Sequence, residues 1–269
     1  MSLNEHGFLS VEIEQVRKRY HQQFPEIFGL IIELSRLAQS MLPMIEGQPR
    51  TLKNLFVSAY FIRSLQQCQG AILMAERGMF TEAYTLIRGG LETVFYLGAA
   101  TRGTDFSREM GRDHVKRTRT AATAHIQRMK ELDPNADESH LQSVIDTMMA
   151  QGIDPEALLI QAVAKKAELS VLYDTLYRQL SNSHAHPTLS SLNSIWEMDE
   201  NQIPKGVFWG PERGDPDEIV DALSLDYVVL HQLIFEWLRF KWDAIVDKRL
   251  DEIGAKYTAF TKARNAAST

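Results

Sequence analysis

Apolar residues recur at spacings of three and four through most of the chain, so helix is the expected element almost everywhere. Between residues 9 and 41, Leu9, Ile13, Val16, Tyr20, Phe24, Ile27, Leu30, Ile31 and Leu34 form one buried face, and Pro25 divides the run. Leu52, Leu55, Phe56, Ala59, Phe61, Ile62, Leu65, Cys68, Ile72 and Leu73 carry a second pattern up to Gly78, which suits a left-handed helix closure. Met79 to Ala100 is apolar on more than one side, through Phe80, Ala83, Tyr84, Leu86, Ile87, Leu91, Val94, Phe95 and Leu97, as expected of the most buried helix. Its Gly89-Gly90 pair costs about 1 kcal/mol per glycine relative to alanine, which points to a kink or, better, to close approach by another helix.

Residues 104 to 131 form a polar helix that Asp133-Pro134 ends, because the residue before a proline is pushed out of the α region. Two shorter helices follow, the second opening with Asp154 as N-cap and Pro155 at its first position. A further helix runs from Leu169 to about Asn182 with Leu172, Leu176 and Leu180 on one stripe. From Pro187 to Gly214 the helical period disappears and turn formers accumulate (Asp199, Asn201, Pro204, Gly206, Gly210, Pro211). Within it, Ser194 to Met198 and Val207 to Trp209 can pair as a small hairpin. Asp215-Pro216 starts a long helix through about Asp247, with Ile219, Leu223, Val229, Leu230, Leu233, Ile234, Trp237 and Leu238 facing a core, and the tail after Phe260 should fray. No repeat or long linker divides the chain. The expected fold is therefore all-α: a helical bundle in a single domain over residues 1–269, with an irregular loop or hairpin inserted at 187–214.

Composition agrees, since 44% hydrophobic and 24% charged residues in a chain of 269 are the proportions of a folded globular protein. The single cysteine, Cys68, excludes an intramolecular disulfide and a cysteine-based zinc cage, and fits a reducing compartment. The first residues lack the cationic start and apolar stretch of a secretory signal, and no run approaches the roughly 20 apolar residues of a membrane span. The expectation is a cytoplasmic protein without a membrane partner. A net charge of −6 argues against a dedicated duplex-DNA binder.

Several constellations could carry chemistry. Arg88 and Glu92, four apart on the most apolar helix, face the same way, and burial demands that they be paired. They make either an ion pair that orients neighbouring helices or a cavity in which the guanidinium holds a phosphate or carboxylate. Tyr177 and Arg178 precede His184 and His186 near a helix end. The two histidines could share a metal only in a turn or strand, and no third ligand is evident by spacing, so neither a metal nor a cofactor is expected. On the polar helix Arg108, Arg112, Lys116 and Arg119 make a basic stripe that could follow an RNA backbone, but Asp105, Glu109 and Asp113 each stand three residues before one of these bases, the spacing of surface ion pairs. Trp196, Phe208 and Trp209 fall in the irregular region, either as an exposed partner surface or beneath a folded-back lid.

The run Ala75-Glu76-Arg77-Gly78-Met79-Phe80-Thr81-Glu82-Ala83, then Leu86-Ile87-Arg88-Gly89-Gly90-Leu91-Glu92, and later Tyr177-Arg178-Gln179-Leu180-Ser181 with His184 and His186-Pro187, resembles a family of uncharacterised bacterial helical proteins. The resemblance covers roughly residues 55 to 190 and implies a fold without implying an activity. A second resemblance is to the HEPN superfamily of helical ribonucleases and nucleotide-binding proteins of toxin and phage-defence systems, carried by Arg178 and His184 at the Arg-to-His spacing of that family. It implies a homodimer in which the histidine helps to activate a ribose hydroxyl and the arginine stabilises the phosphate, without metal. The same spacing recurs at Arg108 with His114 and at Arg119 with His125, and Gln179 departs from the residue usual after the arginine. The leading expectation is a dimeric binding or interaction protein with a polar cavity between Arg88, Glu92 and the His184 to Pro187 segment, taking an RNA or nucleotide ligand. Its rival is a metal-independent ribonuclease using Arg178 and His184.

Overall fold

Pro25 opens a helix because its fixed φ suits the first helical position and its missing N–H is not needed there. In the computed structural model, which describes residues 2–186, 188–192, 195–201, 203–211, 216–238 and 244–267, α1 (Ile13–Gln23) therefore stops one residue short of α2 (Pro25–Ser40). Leu9, expected in the core, sits in a short turn ahead of α1 and is 92% exposed. Among the described residues one stretch, Pro25–Glu46, is long and apolar enough to cross a membrane, longer than the apolar pattern alone suggested. Ile27, Phe28, Ile31 and Leu34 from it are buried in the protein's own core.

Thr51 accepts the Asn54 N–H at 3.2 Å and so caps α3 (Leu52–Ala75). The helix closes at Gly78, with φ +71°, where Gly78 N–H bonds Ala75 O and Met79 N–H bonds Met74 O, each at 3.0 Å. This is the paired closure that a left-handed glycine makes possible, and it turns the chain directly into α4 (Phe80–Arg102). Ile87, Leu91, Val94, Phe95 and Leu97 are fully buried, as its all-round apolar pattern requires. On α3, by contrast, Leu52, Leu55, Ile62 and Leu73 point outward, and Val57, Phe61, Leu65 and Cys68 form the buried face.

Helix α5 (Phe106–Leu132) leaves the bundle and α6 (Ser139–Ala150) returns along it. The helix expected from Asp154 and Pro155 begins instead at Ile160, as α7 (Ile160–Lys166). The reason is that α5 captures the intervening backbone: buried Asp113 accepts the Leu158 N–H at 2.8 Å, and Arg112 pairs with Asp154 at 3.2 Å and Glu156 at 2.7 Å. These bonds compete with a helical ladder for the same groups. Nor do the bases of α5 pair with acids three residues earlier: Glu109 pairs with Lys166, and Asp113 with Arg117 at 2.6 Å.

The stripe of Leu172 and Leu180 is buried on α8, a continuous helical run over 170–185. It extends past Asn182, and α-helical turns (Ser170–Leu172, Arg178–Leu180) alternate with π-helical turns (Tyr173–Tyr177, Ser181–Ala185). After α9 (Leu189–Leu192) comes the small antiparallel hairpin of β1 (Trp196–Met198) and β2 (Pro204–Val207), in which Trp196 faces Val207. Phe208 and Trp209, expected within the second strand, lie beyond its end; Pro187 and Ser194 lie outside the described residues. Helix α10 (Asp217–Leu238) buries Ile219, Leu223, Leu230, Leu233 and Ile234 against α4, α2 and α3. Asp215 and residues 239–243 lie outside the described residues, and α11 (Ala244–Ala267) continues through the tail expected to fray. Its Lys256 pairs with Glu33 at 2.8 Å, and Tyr257 donates to Asp221 at 2.6 Å. The result is an all-α bundle around α4, with one two-stranded hairpin.

Candidate functional site

The π-helical turns of α8 decide where its polar side chains go, since each widened turn changes the direction of the side chains beyond it. The first carries Tyr177 and the second Ser181 to Arg88 on α4. Arg88 Nε donates to Ser181 Oγ at 2.7 Å, and Arg88 Nη2 donates to Tyr177 Oη at 2.8 Å. Tyr177 Oη donates in turn to Glu92 Oε1 at 2.6 Å, and the Arg88–Glu92 ion pair closes at 2.9 Å. The guanidinium carbon lies 5.0 Å from the Tyr177 ring centroid. Burial, reinforced by the Glu92 carboxylate, pushes the Tyr177 phenol up to about 12, so it stays a neutral donor. The structure thus joins Arg88, Glu92 and Tyr177 in one hydrogen-bonded group. Its arrangement is that of a clamp between α4 and α8, with the Arg88 and Glu92 side chains 22% and 35% exposed.

Further along the same helix, His184 stacks on Tyr84 of α4, with centroids 4.0 Å apart and planes 18° from parallel. Burial lowers its imidazole pKa despite Glu218 nearby, which favours the neutral ring. His184 and the extended residue His186 line a cleft of about 700 Å³. Thr81 and Glu82 from the first turn of α4 also line it, with Ile195, Val207, Phe208 and Trp209, and Phe8 contributes from near the N-terminus. Trp209 is 57% exposed, whereas Trp196 is only half-buried within the hairpin and does not line the cleft.

Arg178 is exposed on the far side of its turn and faces Asp174 at 3.8 Å. Among the described residues no hydrogen bond, ion pair or ring contact joins it to His184 within one chain. Among the described residues there is also no group of three or more His, Cys, Asp or Glu placed to hold a metal ion. Nothing local in the sequence links Phe8 or Thr81 to the segment around His184, so the pattern alone does not reveal their place in the cleft.

The model of the Family of unknown function (DUF5677) matches residues 54–203. The chain belongs to this family. The matched DUF5677 span contains Arg88, Glu92, Tyr177, Arg178, His184 and His186, together with the entire clamp between α4 and α8. Phe8, Phe208 and Trp209, which complete the cleft, lie outside it. No curated protein and no solved structure matches the chain.

Proposed function

We propose that the protein binds a nucleoside or nucleoside monophosphate in the cleft between α4, the end of α8 and the hairpin. The observation that carries this reading is one cleft of about 700 Å³ lined by two histidines, Phe208, Trp209 and the first turn of a long helix. That volume is typical of small-ligand sites. The faces of Phe208 and Trp209 suit a flat base, for which aromatic stacking is worth about 1–3 kcal/mol. His184 and His186 can donate to or accept from ring and ribose groups, and the first-turn N–H groups of α4 favour a single negative charge. Glu82 stands in the same turn and disfavours a longer phosphate chain.

In this reading the clamp of Arg88, Glu92, Tyr177 and Ser181 is positioning machinery: it fixes the second π turn, which presents His184. The test is tryptophan fluorescence on titration with adenosine, AMP and UMP, using wild type beside Trp209→Ala and His184→Ala. Saturable quenching by at least one of these compounds is expected, lost in Trp209→Ala and weakened about tenfold in His184→Ala, as removal of one good contact implies. A wild-type signal that none of the three changes would overturn the assignment.

A further inference from the structure

The arm made by α5 and α6 is the part of the helical body least covered by the rest of the chain. Beyond Ala122 no residue of α5 is buried, and α6 buries none of its residues. Yet α6 has the sequence of a helix with an apolar face: Leu141, Val144, Ile145 and Met148 recur at spacings of three and four, and all four remain partly exposed. Met149 beside them is 57% exposed and Leu132 at the turn 72%. An apolar seam of this kind, covered on one side by a single neighbouring helix, lacks the partners that a helical bundle supplies.

Charge says what the partner is. Helix α5 carries seven Lys and Arg side chains against three acidic ones, whereas residues 131–164 contain seven Asp and Glu and no Lys or Arg. Within the arm the bridge across the turn is Lys130 to Glu138 at 2.7 Å. Arg108, Lys116 and Arg119 have no ion-pair partner among the described residues, and Asp146 accepts only from Gln142, at 2.8 Å. One arm therefore offers a basic helix, α5, beside an acidic turn (Asp133, Asp137, Glu138) and an α6 whose one acidic side chain is Asp146, charges of both signs that can complement each other about a two-fold axis.

We propose that the arm is a dimerisation element, in which α6 of each copy docks against α5 of the other and the two arms close a four-helix bundle. In that square the bases of each α5 lie against the acidic turn and Asp146 of the other copy, and the seam of Val144, Ile145 and Met148 becomes its centre. The surface is remote in sequence from the cleft residues and does not depend on what the cleft binds.

Sedimentation equilibrium of the full chain from micromolar to submillimolar concentration tests it. The expected result is a monomer–dimer equilibrium whose dissociation constant rises at least about tenfold in Met149→Glu and in Arg119→Glu, and rises with added salt. Met149 is exposed and Arg119 partly so, and an unchanged circular dichroism spectrum shows that each variant folds. A chain that stays monomeric throughout, or a dimer indifferent to both substitutions, overturns the proposal. So does a monomeric chain that binds a polyuridine strand and loses it in Arg119→Glu, which would give the basic face of α5 to nucleic acid.

Discussion

The carboxylate of Asp226 on α10 occupies the space that a side chain at Gly90 of α4 would need: a Cβ built there lies 2.5 Å from Asp226 Oδ2. Cys68 of α3 closes the same pocket, donating its thiol to that oxygen at 3.3 Å. At the adjacent Gly89 a Cβ would meet the amide end of Gln67 at 2.7 Å, a flexible group that can move aside. The two glycines should consequently respond in opposite ways. Gly90→Ala gains about 1 kcal/mol of helix propensity but overpacks a fully buried contact at a cost of about 1–3 kcal/mol, for an expected net loss of about 1 kcal/mol. Gly89→Ala should match or exceed wild-type stability. Urea unfolding of the two variants side by side checks the pair of signs.

Asp226 is fully buried and its Oδ1 has no protein partner among the described residues. Burial pushes its carboxyl up to about 7 from the ordinary 3.8, with the Cys68 hydrogen bond opposing. A folded-state pKa above the unfolded one means that the native state holds a proton the unfolded chain has released. The stability associated with Asp226 is therefore full below about pH 4, declines as pH rises and has gone above about pH 7. The penalty reaches about 4 kcal/mol as an upper figure. Asp226→Asn, which is neutral at every pH, should flatten stability over that range and exceed wild type at pH 8. Thermal unfolding of both proteins between pH 5 and 8 provides the comparison, and parallel curves would contradict it.

Tyr177 and Glu92 are coupled through a bond of 2.6 Å, with Arg88 touching both. Tyr177→Phe should cost about 1–2 kcal/mol of stability, because the Glu92 and Arg88 groups that it satisfied are only partly exposed to water. In a double-mutant cycle with Glu92→Gln, an interaction energy of about 1 kcal/mol is expected. Additive losses would mean that the clamp does not act as a unit.

Glu168 ends α7 with φ +57°, the one described non-glycine residue in the left-handed region. The bonds Leu169 N–H to Ala164 O at 2.9 Å and Glu168 N–H to Lys165 O at 3.1 Å hold it there. That conformation costs an ordinary residue about 1–2 kcal/mol. Its exposed carboxylate reaches Arg102 only at 3.7 Å, and Arg102 keeps Glu236 at 2.6 Å. Glu168→Gly is thus expected to stabilise the protein by about 1 kcal/mol, measured as a shifted urea midpoint with an unchanged slope.

Features fixed by a few adjacent residues were legible in the sequence. Pro25 and Gly78 each state a local backbone requirement and the Gly89-Gly90 pair a close approach, and each appears in the structure where that requirement places it. Arg88 and Glu92 could be paired by spacing alone. What failed depended on partners distant in the chain. Asp154 and Pro155 read as a helix start until Arg112 and Asp113 compete for that backbone. The acids of α5 read as local pairs until Lys166 arrives from another helix. The cleft combines Phe8, Thr81, His184 and Trp209, which share no periodicity. The π turns leave the leucine stripe intact, so the apolar pattern of α8 does not reveal them.

Those π turns make the site depend on how many residues α8 contains as well as on which they are. Each holds one residue more than an α-helical turn would need, so it behaves as an insertion retained inside a helix. Rewinding the same residues of 173–177 as plain α-helix, without removing one, would swing every later side chain by about 100°. Ser181 would leave Arg88 and His184 would leave Tyr84, although none of the four had been altered. Removing one residue from a π turn takes out the extra residue and keeps those directions, whereas a residue wound into the α-helical turns of α8 would change them all.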